Sequence, residues 1–265
     1  MQVLRTLGQA FLPNRVVSSR VMAIIAIGWT MTALLVWVNS PFEVLPTPGD
    51  VFAAFPELWM NQGLSRELGT SFVLYIEAIA IASIFSFGVS YATVLPLLRP
   101  IVAAVSKGRF LGLIGLPFLF TILVGTGRPL KLALLVCGIS VFLVTTMADE
   151  VANIARDRFD LARTLRMSEW RVVWEVVVLG TVDRAIDALR QNAAIGWMML
   201  PMVEGISRTQ GGVGAMLLDQ NKHFHLASIF AVQLTLLAIG LGQDACFGFM
   251  KRIVCPYAFF TLERR

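Results

Sequence analysis

Long uncharged apolar stretches dominate this 265-residue sequence and limit what it can fold into. Residues 21–38 carry no charge, and each of the ranges 70–95, 130–147 and 226–250 carries a single charged residue. About 20 apolar residues in a helix are enough to cross a bilayer. Because 57% of the residues are hydrophobic and the mean hydropathy is +0.74, the stretches indicate helices surrounded by lipid rather than one water-soluble core.

Two further segments complete the predicted set of crossings. Residues 110–124 are short and contain glycines and a proline, which predicts a kinked helix packed closely on its neighbours. Residues 185–203 are less apolar and carry polar side chains near their start. The sequence therefore predicts an all-α polytopic membrane protein with about six transmembrane helices. Its predicted parts are an N-terminal interfacial segment (1–20), a transmembrane domain (21–250) and a tail (251–265).

A polar island at residues 149–184 separates the fourth and fifth predicted crossings. Of the 22 Lys and Arg residues, only those at positions 66, 128, 131, 208 and 222 fall on the opposite side of the six predicted crossings from the island. Because an excess of Lys and Arg marks the cytoplasmic side, the island and both termini are predicted to be cytoplasmic. The net charge of +5 is accounted for by this orientation, so nucleic-acid binding is not predicted.

Within the island, residues 157–174 have the pattern of a helix, a turn and a second helix, with Ser168 as a good N-cap. The apolar side chains recur at helical spacing, and we expect them to lie against the protein while the arginines face the cytosol. These apolar residues are Phe159, Ala162, Leu165, Trp170, Val173 and Trp174. The pattern equally fits a solvated basic loop held near anionic headgroups, which needs no partner.

Three landmarks resemble those of ABC importer permeases of the nitrate/taurine/sulfonate type. Residues 160–168, DLARTLRMS, resemble the coupling-loop signature E-A-A-x-x-x-G. Residues 45–51, LPTPGDV, are similar to the family's L-P-S-P-x-D-V segment, in which we predict a short helix from 50 to 59 capped by residues 48–50. Glu204 and the run 211–214, GGVG, are similar to the family's acidic residue and S-G-L-G. The landmarks occur in family order across nearly the whole chain.

The sequence departs from the family pattern at the coupling loop. Asp160 replaces Glu, Leu161 replaces the first Ala, and Leu179-Gly180 replaces Leu-Pro. Arg166 stands where the family has the glycine that permits the turn. A non-glycine residue with positive φ costs about 1 kcal/mol or more, so the turn is expected to differ in shape.

The resemblance implies that two permeases pair in a bacterial inner membrane and dock on two ABC ATPase subunits. The ATPases bind ATP and Mg²⁺, this chain carries no cofactor, and a substrate-binding protein delivers a small solute outside. The implied ATPase contact is Asp160, Ala162, Arg163, Leu165, Arg166 and Trp170. The implied binding-protein contact is Glu204, Gly211, Gly212 and Gly214, and the pathway-lining candidates are Gln191, Asn192 and Trp197.

Several polar residues have a structural interpretation beside the functional one. Gln191 and Asn192 fit interhelical hydrogen bonding as well as pathway lining. Glu77 fits a residue that reaches water near the outer end of its helix. Asp244 is expected to pair with Lys251 or Arg252. His223 and His225 lack a third ligand, so a surface contact is favoured over a metal site.

Neither a phosphate-binding G-x-x-x-x-G-K-[ST] loop nor a catalytic constellation occurs, so no enzymatic activity is predicted. The resemblance points to a small anion or organic acid as substrate, although the sequence shows no cationic cluster in the crossings.

Two alternatives to an importer permease stay open. The subunit of an energy-coupling-factor transporter would carry two Ala-Arg-Gly motifs, and only residues 162–164 come close. A non-transporting scaffold would use the altered island to dock another protein.

Overall fold

The computed structural model describes residues 18–42, 44–111, 115–207 and 210–257, and all the regular secondary structure in these ranges is helical. The α-helices are α1 (Ser19–Val38), α2 (Pro48–Met60), α3 (Leu64–Tyr91), α4 (Arg99–Lys107), α5 (Leu116–Val124), α6 (Arg128–Ala152), α7 (Arg156–Thr164), α8 (Glu169–Val172), α9 (Val182–Ile206), α10 (Val213–Lys222) and α11 (Leu226–Val254). A π-helical segment, Val173–Val178, and a 3₁₀ turn, Leu179–Thr181, join α8 to α9. Most of the predicted 1–20 segment and residues 258–265 of the predicted tail lie outside the described residues.

Four helices in the described ranges are long and apolar enough to cross a membrane. They are α1, α3 with its 3₁₀ continuation to Val94, α6 and α11. Each coincides with a predicted crossing but extends beyond it, because the flanking polar residues still have helical backbone. In particular, α3 begins at Leu64 rather than 70 and α11 ends at Val254 rather than 250, inside the predicted tail.

The other two predicted crossings do not meet the same criteria. Helix α5 has nine residues and so rises only about 13 Å, against the roughly 30 Å of a hydrocarbon core. Helix α9 has 25 residues, which is long enough, but Asp183, Arg184, Asp187 and Arg190 lie in its first half. Six crossings therefore remain a prediction.

The centre of the core is formed by α3, α6 and α9. Ala78 and Ala82 on α3 are fully buried and allow α6 to approach closely. Gly196 on α9 faces Ile139, where a Cβ atom would lie only 2.7 Å from a side-chain carbon. Tyr75 donates a hydrogen bond of 2.8 Å to the carbonyl oxygen of Ala193, which joins α3 to α9. The core thus holds the middle of α9, and the polar features lie toward its two ends.

Two local predictions need correction. Helix α2 is capped by Thr47 rather than by residues 48–50, since the Thr47 hydroxyl accepts from the Asp50 amide and the Asp50 carboxylate accepts from the Thr47 amide. Asp244 does not pair with Lys251. Its carboxylate binds Arg190 on α9, and Lys251 binds Asp187 on the same helix. The ion pairs form between helices because α9 brings its charged first half against α11.

Candidate functional site

The island folds as two short helices that project from the bundle between α6 and α9. Helix α7 carries Asp157 in its first turn and Arg163 in its last, and both charges interact favourably with the helix dipole. It ends in a Schellman motif, in which the Arg166 amide donates to the Arg163 carbonyl at 2.9 Å and the Met167 amide donates to the Ala162 carbonyl at 3.3 Å. The turn redirects the chain into α8.

Arg166 lies at the turn position that normally takes glycine. Its φ angle is +56°, so the arginine itself adopts the left-handed conformation that a glycine would adopt without steric cost. The departure from the family pattern is therefore accommodated by local strain at residue 166. Helix α8 begins after Ser168 as predicted, although the Ser168 side chain makes no cap hydrogen bond.

Three of the six apolar side chains that were predicted to pack against the protein face outward instead, those of Leu165, Trp170 and Trp174. Of the other three, Ala162 is buried and Phe159 and Val173 are half-buried. Trp170 is 72% exposed and Leu165 is 63% exposed, and Leu161 and Trp174 are exposed as well. A cluster of exposed large apolar side chains on a charged segment is typical of a surface that a partner covers. We call the exposed side chains of Leu161, Leu165, Trp170 and Trp174 the apolar patch.

The predicted ATPase-contact residues differ in accessibility. Asp160, Arg163, Leu165, Arg166 and Trp170 are exposed, whereas Ala162 is buried. Ala162 lies on the wall of a cleft of about 260 Å³ beside the apolar patch, which Leu161 and Leu165 also line. Arg163 joins the two short helices, with its guanidinium 3.8 Å from Asp160 and 3.3 Å from Glu169. The island thus presents one connected surface.

A second polar cluster lies at the opposite end of the bundle, where α9 gives way to α10. Glu204 is only 1% exposed, and its carboxylate accepts hydrogen bonds from the Ser71 hydroxyl at 2.6 Å and from the Gly214 amide at 2.9 Å. The Ser71 hydroxyl in turn accepts from the Val213 amide at 2.9 Å. Glu67 accepts from the Gly212 amide, completing a set of acceptors for the first backbone amides of α10.

The glycines of this connection are required by close approach. At Gly212 the φ angle is +108°, and a Cβ atom would lie 2.4 Å from the Glu204 carboxylate. At Gly214 a Cβ atom would lie 2.0 Å from the Pro201 carbonyl oxygen. Gly211, at φ +67°, is half-buried. Glu204, Gly212 and Gly214 are buried, so in this conformation they shape the segment from inside. The predicted binding-protein contact stays a prediction, and it would involve the surface that these residues support.

A cavity of about 470 Å³ lies beside the Glu204 cluster and is lined by three basic residues, Arg66, Arg128 and Lys131. Arg128 binds Glu77 at 2.6 Å, so the carboxylate expected to reach water is paired. Lys131 is 3% exposed and donates to the Gly211 carbonyl at 2.7 Å. No such cluster was predicted, because its members come from two separate helices. The one available signal was a lysine inside an apolar stretch.

The predicted pathway-lining residues do not form one surface. Asn192 and Trp197 are buried: the Asn192 amide donates to the Ala188 carbonyl at 2.8 Å, and the Trp197 indole donates to the Leu236 carbonyl at 3.0 Å. Gln191 is exposed on another face of α9. That exposed face continues at helical spacing through Ala194, Met198 and Met202.

The two histidines carry no metal-site geometry. Each ring accepts or donates one local hydrogen bond, His223 with the Asp219 carbonyl at 2.8 Å and His225 with the Gln220 side chain at 3.0 Å. No group of three or more metal-ligating side chains occurs in the part of the chain that the structure describes.

The fold is similar to that of a chain of the MetNI methionine ABC transporter, solved in inward-facing conformations. The TM-score is 0.63 at 14% sequence identity, and the match covers 75% of this chain and 98% of that chain. No family model and no curated protein matches the sequence. Because identity is this low, the comparison shows a shared fold alone.

Proposed function

We propose that this chain is the transmembrane permease subunit of an ABC importer in a bacterial inner membrane. The observation that carries the proposal is the fold similarity to a MetNI chain, which extends over nearly the whole of that chain. The apolar helices and the projecting island fit the same role. In the proposed complex two permeases pair, and two ATPase subunits bind ATP and Mg²⁺. A substrate-binding protein delivers the solute at the Glu204 end, and this chain performs no chemistry itself.

The apolar patch is the proposed ATPase contact. Leu165 and Trp170 would enter a cleft of the ATPase, and Arg163 would hold α7 and α8 together so that both move as one unit. Burial of large aromatic and aliphatic anchors dominates the free energy of protein interfaces. Movement of the two helices with the ATPase would then be transmitted to α6 and α9, between which the island is inserted.

The proposed substrate is a small anion or organic acid, and the proposed pathway wall is the exposed face of α9. The cavity lined by Arg66, Arg128 and Lys131 supports an anion through Arg66, because Arg128 is paired with Glu77 and the buried Lys131 lies beside the Glu204 and Glu67 carboxylates. The Arg66 side chain has no ion-pair partner among the described residues, which leaves its guanidinium available. The MetNI comparison is with a methionine transporter and does not favour one anion over another.

Affinity purification of the tagged chain from its native membrane tests the proposal. An ABC ATPase with phosphate-binding loops should co-purify with the wild-type chain. In the L165S/W170S variant its recovery should fall about 30-fold or more, because two interface anchors of about 2 kcal/mol or more in total are removed. Trp59→Ser is the matched control, since Trp59 is an exposed tryptophan on α2 outside the island.

The outcomes separate the proposal from its main rival. Recovery of the ATPase with unchanged yield from L165S/W170S would reject the apolar patch as the contact. Recovery of a different cytoplasmic protein, with no ATPase, would instead support the non-transporting scaffold. In that case the fold would have been kept while the island acquired another partner.

A further inference from the structure

A second basic cavity lies at the island end of the bundle, beside helix α4. Its volume is about 420 Å³, within the roughly 300–1,000 Å³ of small-molecule sites. Three cationic side chains line it, Arg99, Lys107 and Arg109, and Asp149 is the single carboxylate among its lining residues. Neither the apolar patch nor the Glu204 cluster shares any residue with this cavity.

The three cations have no carboxylate partners in the described ranges. Arg99 donates from Nε to the Thr93 carbonyl at 3.1 Å, which holds the side chain against the turn before α4. The Arg109 guanidinium lies 5.1 Å from the centre of the Phe110 ring. The ammonium group of Lys107 makes no hydrogen bond or ion pair with a described residue. An excess of about two positive charges is therefore left for a ligand.

The hydroxyl groups and the surroundings of the cavity narrow the choice of ligand. The hydroxyl groups of Thr93 and Thr145 also line it but donate to the Ser90 and Val141 carbonyls, so the Ser106 hydroxyl is the one that can donate to an anionic oxygen without breaking a hydrogen bond to a described residue. Next to the cations, large apolar side chains are exposed rather than buried, namely those of Leu97, Ile101, Phe110 and Leu111. A ligand that combines a negative headgroup with apolar chains would match both surfaces.

The position of the cavity agrees with the membrane interface. It lies where the membrane-crossing helices α3 and α6 end, and the backbone at Gly108 packs against Val141 on α6. Basic pockets between transmembrane helices at this depth bind anionic lipid headgroups. We propose that the cavity binds the phosphate headgroup of an anionic phospholipid, with Lys107 and Arg109 contacting its oxygens and the lipid chains lying over α4.

Native mass spectrometry of the full chain in detergent, titrated with phosphatidylglycerol or phosphatidylcholine, tests this proposal. We expect phosphatidylglycerol to bind about 10-fold more tightly than phosphatidylcholine, and the K107Q/R109Q variant to lose about 10- to 30-fold of that affinity. The charge-retaining variant K107R/R109K should keep wild-type affinity, which distinguishes lost binding from lost folding. R156Q/R171Q, which removes two positive charges from the island, should bind as the wild type does.

Three results would overturn the proposal. Equal binding of the two lipids would show that the cavity does not select negative charge. An equal loss of affinity in R156Q/R171Q would show a general charge effect rather than a site. Displacement of phosphatidylglycerol by excess inorganic phosphate would assign the cavity to a soluble anion instead of a lipid.

Discussion

Replacing Arg166 by glycine should stabilise the island. The arginine has φ +56°, a conformation that costs an L-residue about 1–2 kcal/mol, and glycine removes this cost. Glycine also has more conformational entropy in the unfolded chain, which lowers the stability of the folded state by about 0.4–1 kcal/mol and so offsets part of this effect. The net expectation is a stabilisation of about 0.5–1 kcal/mol, local to the turn. Arg166→Ala is the matched control, because it removes the guanidinium but keeps the strained φ.

Hydrogen exchange of the full chain measures this difference directly. The amides of Arg166 and Met167 close the turn, and their protection should be roughly two- to fivefold higher in R166G than in R166A. Protection in α10, at the other end of the bundle, should be the same in both variants. Equal or lower protection in R166G would show that residue 166 carries no strain, and the account of the turn given above would fail.

Two further predictions concern the rest of the chain. Gly214→Ala should destabilise the protein by about 1–3 kcal/mol in thermal unfolding in detergent, because a Cβ atom would meet the Pro201 carbonyl. The control is Gly242→Ala, which should change the stability little because no atom lies within 4 Å of the added Cβ. Equal effects of the two substitutions would refute the packing argument. Hydrogen bonds from the hydroxyl and then the amide of Thr47 lower the pKa of Asp50 from 3.8, so the carboxylate half of the cap is present at neutral pH and is lost as the pH falls through that lowered pKa. Thr47→Ala should therefore speed hydrogen exchange in the first turns of α2 at neutral pH, and the difference from wild type should narrow in acid to the part due to the Thr47 hydroxyl as acceptor for the Asp50 amide. A difference that is independent of pH would contradict this.

The long apolar helices could be located from sequence because length and composition decide them. Helices α1, α3, α6 and α11 each coincide with an uncharged or singly charged stretch. Some of their ends were placed too far inward, namely the start of α3, both ends of α6 and the end of α11, since helical backbone continues there into polar residues where hydropathy no longer reports it. Helix α9 could not be located in this way, because the charges in its first half form ion pairs with α11 that no local pattern reveals.

The island illustrates a different limit. Its helix, turn and helix were predicted from caps and spacing, but the direction of the Leu165, Trp170 and Trp174 side chains was predicted wrongly. Periodicity shows that Leu165 and Trp170 share an apolar character, and it cannot show whether the protein itself or a partner covers them. The basic cavity beside Glu204 was missed for a related reason, since Arg66 and Lys131 meet only after α3 and α6 have packed.

The buried acceptors around Glu204 make the two ends of the bundle unequal in stiffness. Sliding α3 past α9 at this end would separate Ser71 from Glu204 and leave buried polar groups without partners, at about 1–3 kcal/mol for each group. At the far end α9 is linked to α11 by two ion pairs, Arg190–Asp244 and Lys251–Asp187, which are partly exposed and so contribute less. A force applied at the island would therefore swing the helices about a pivot at Glu204, and the largest displacement would occur at the end where the force acts.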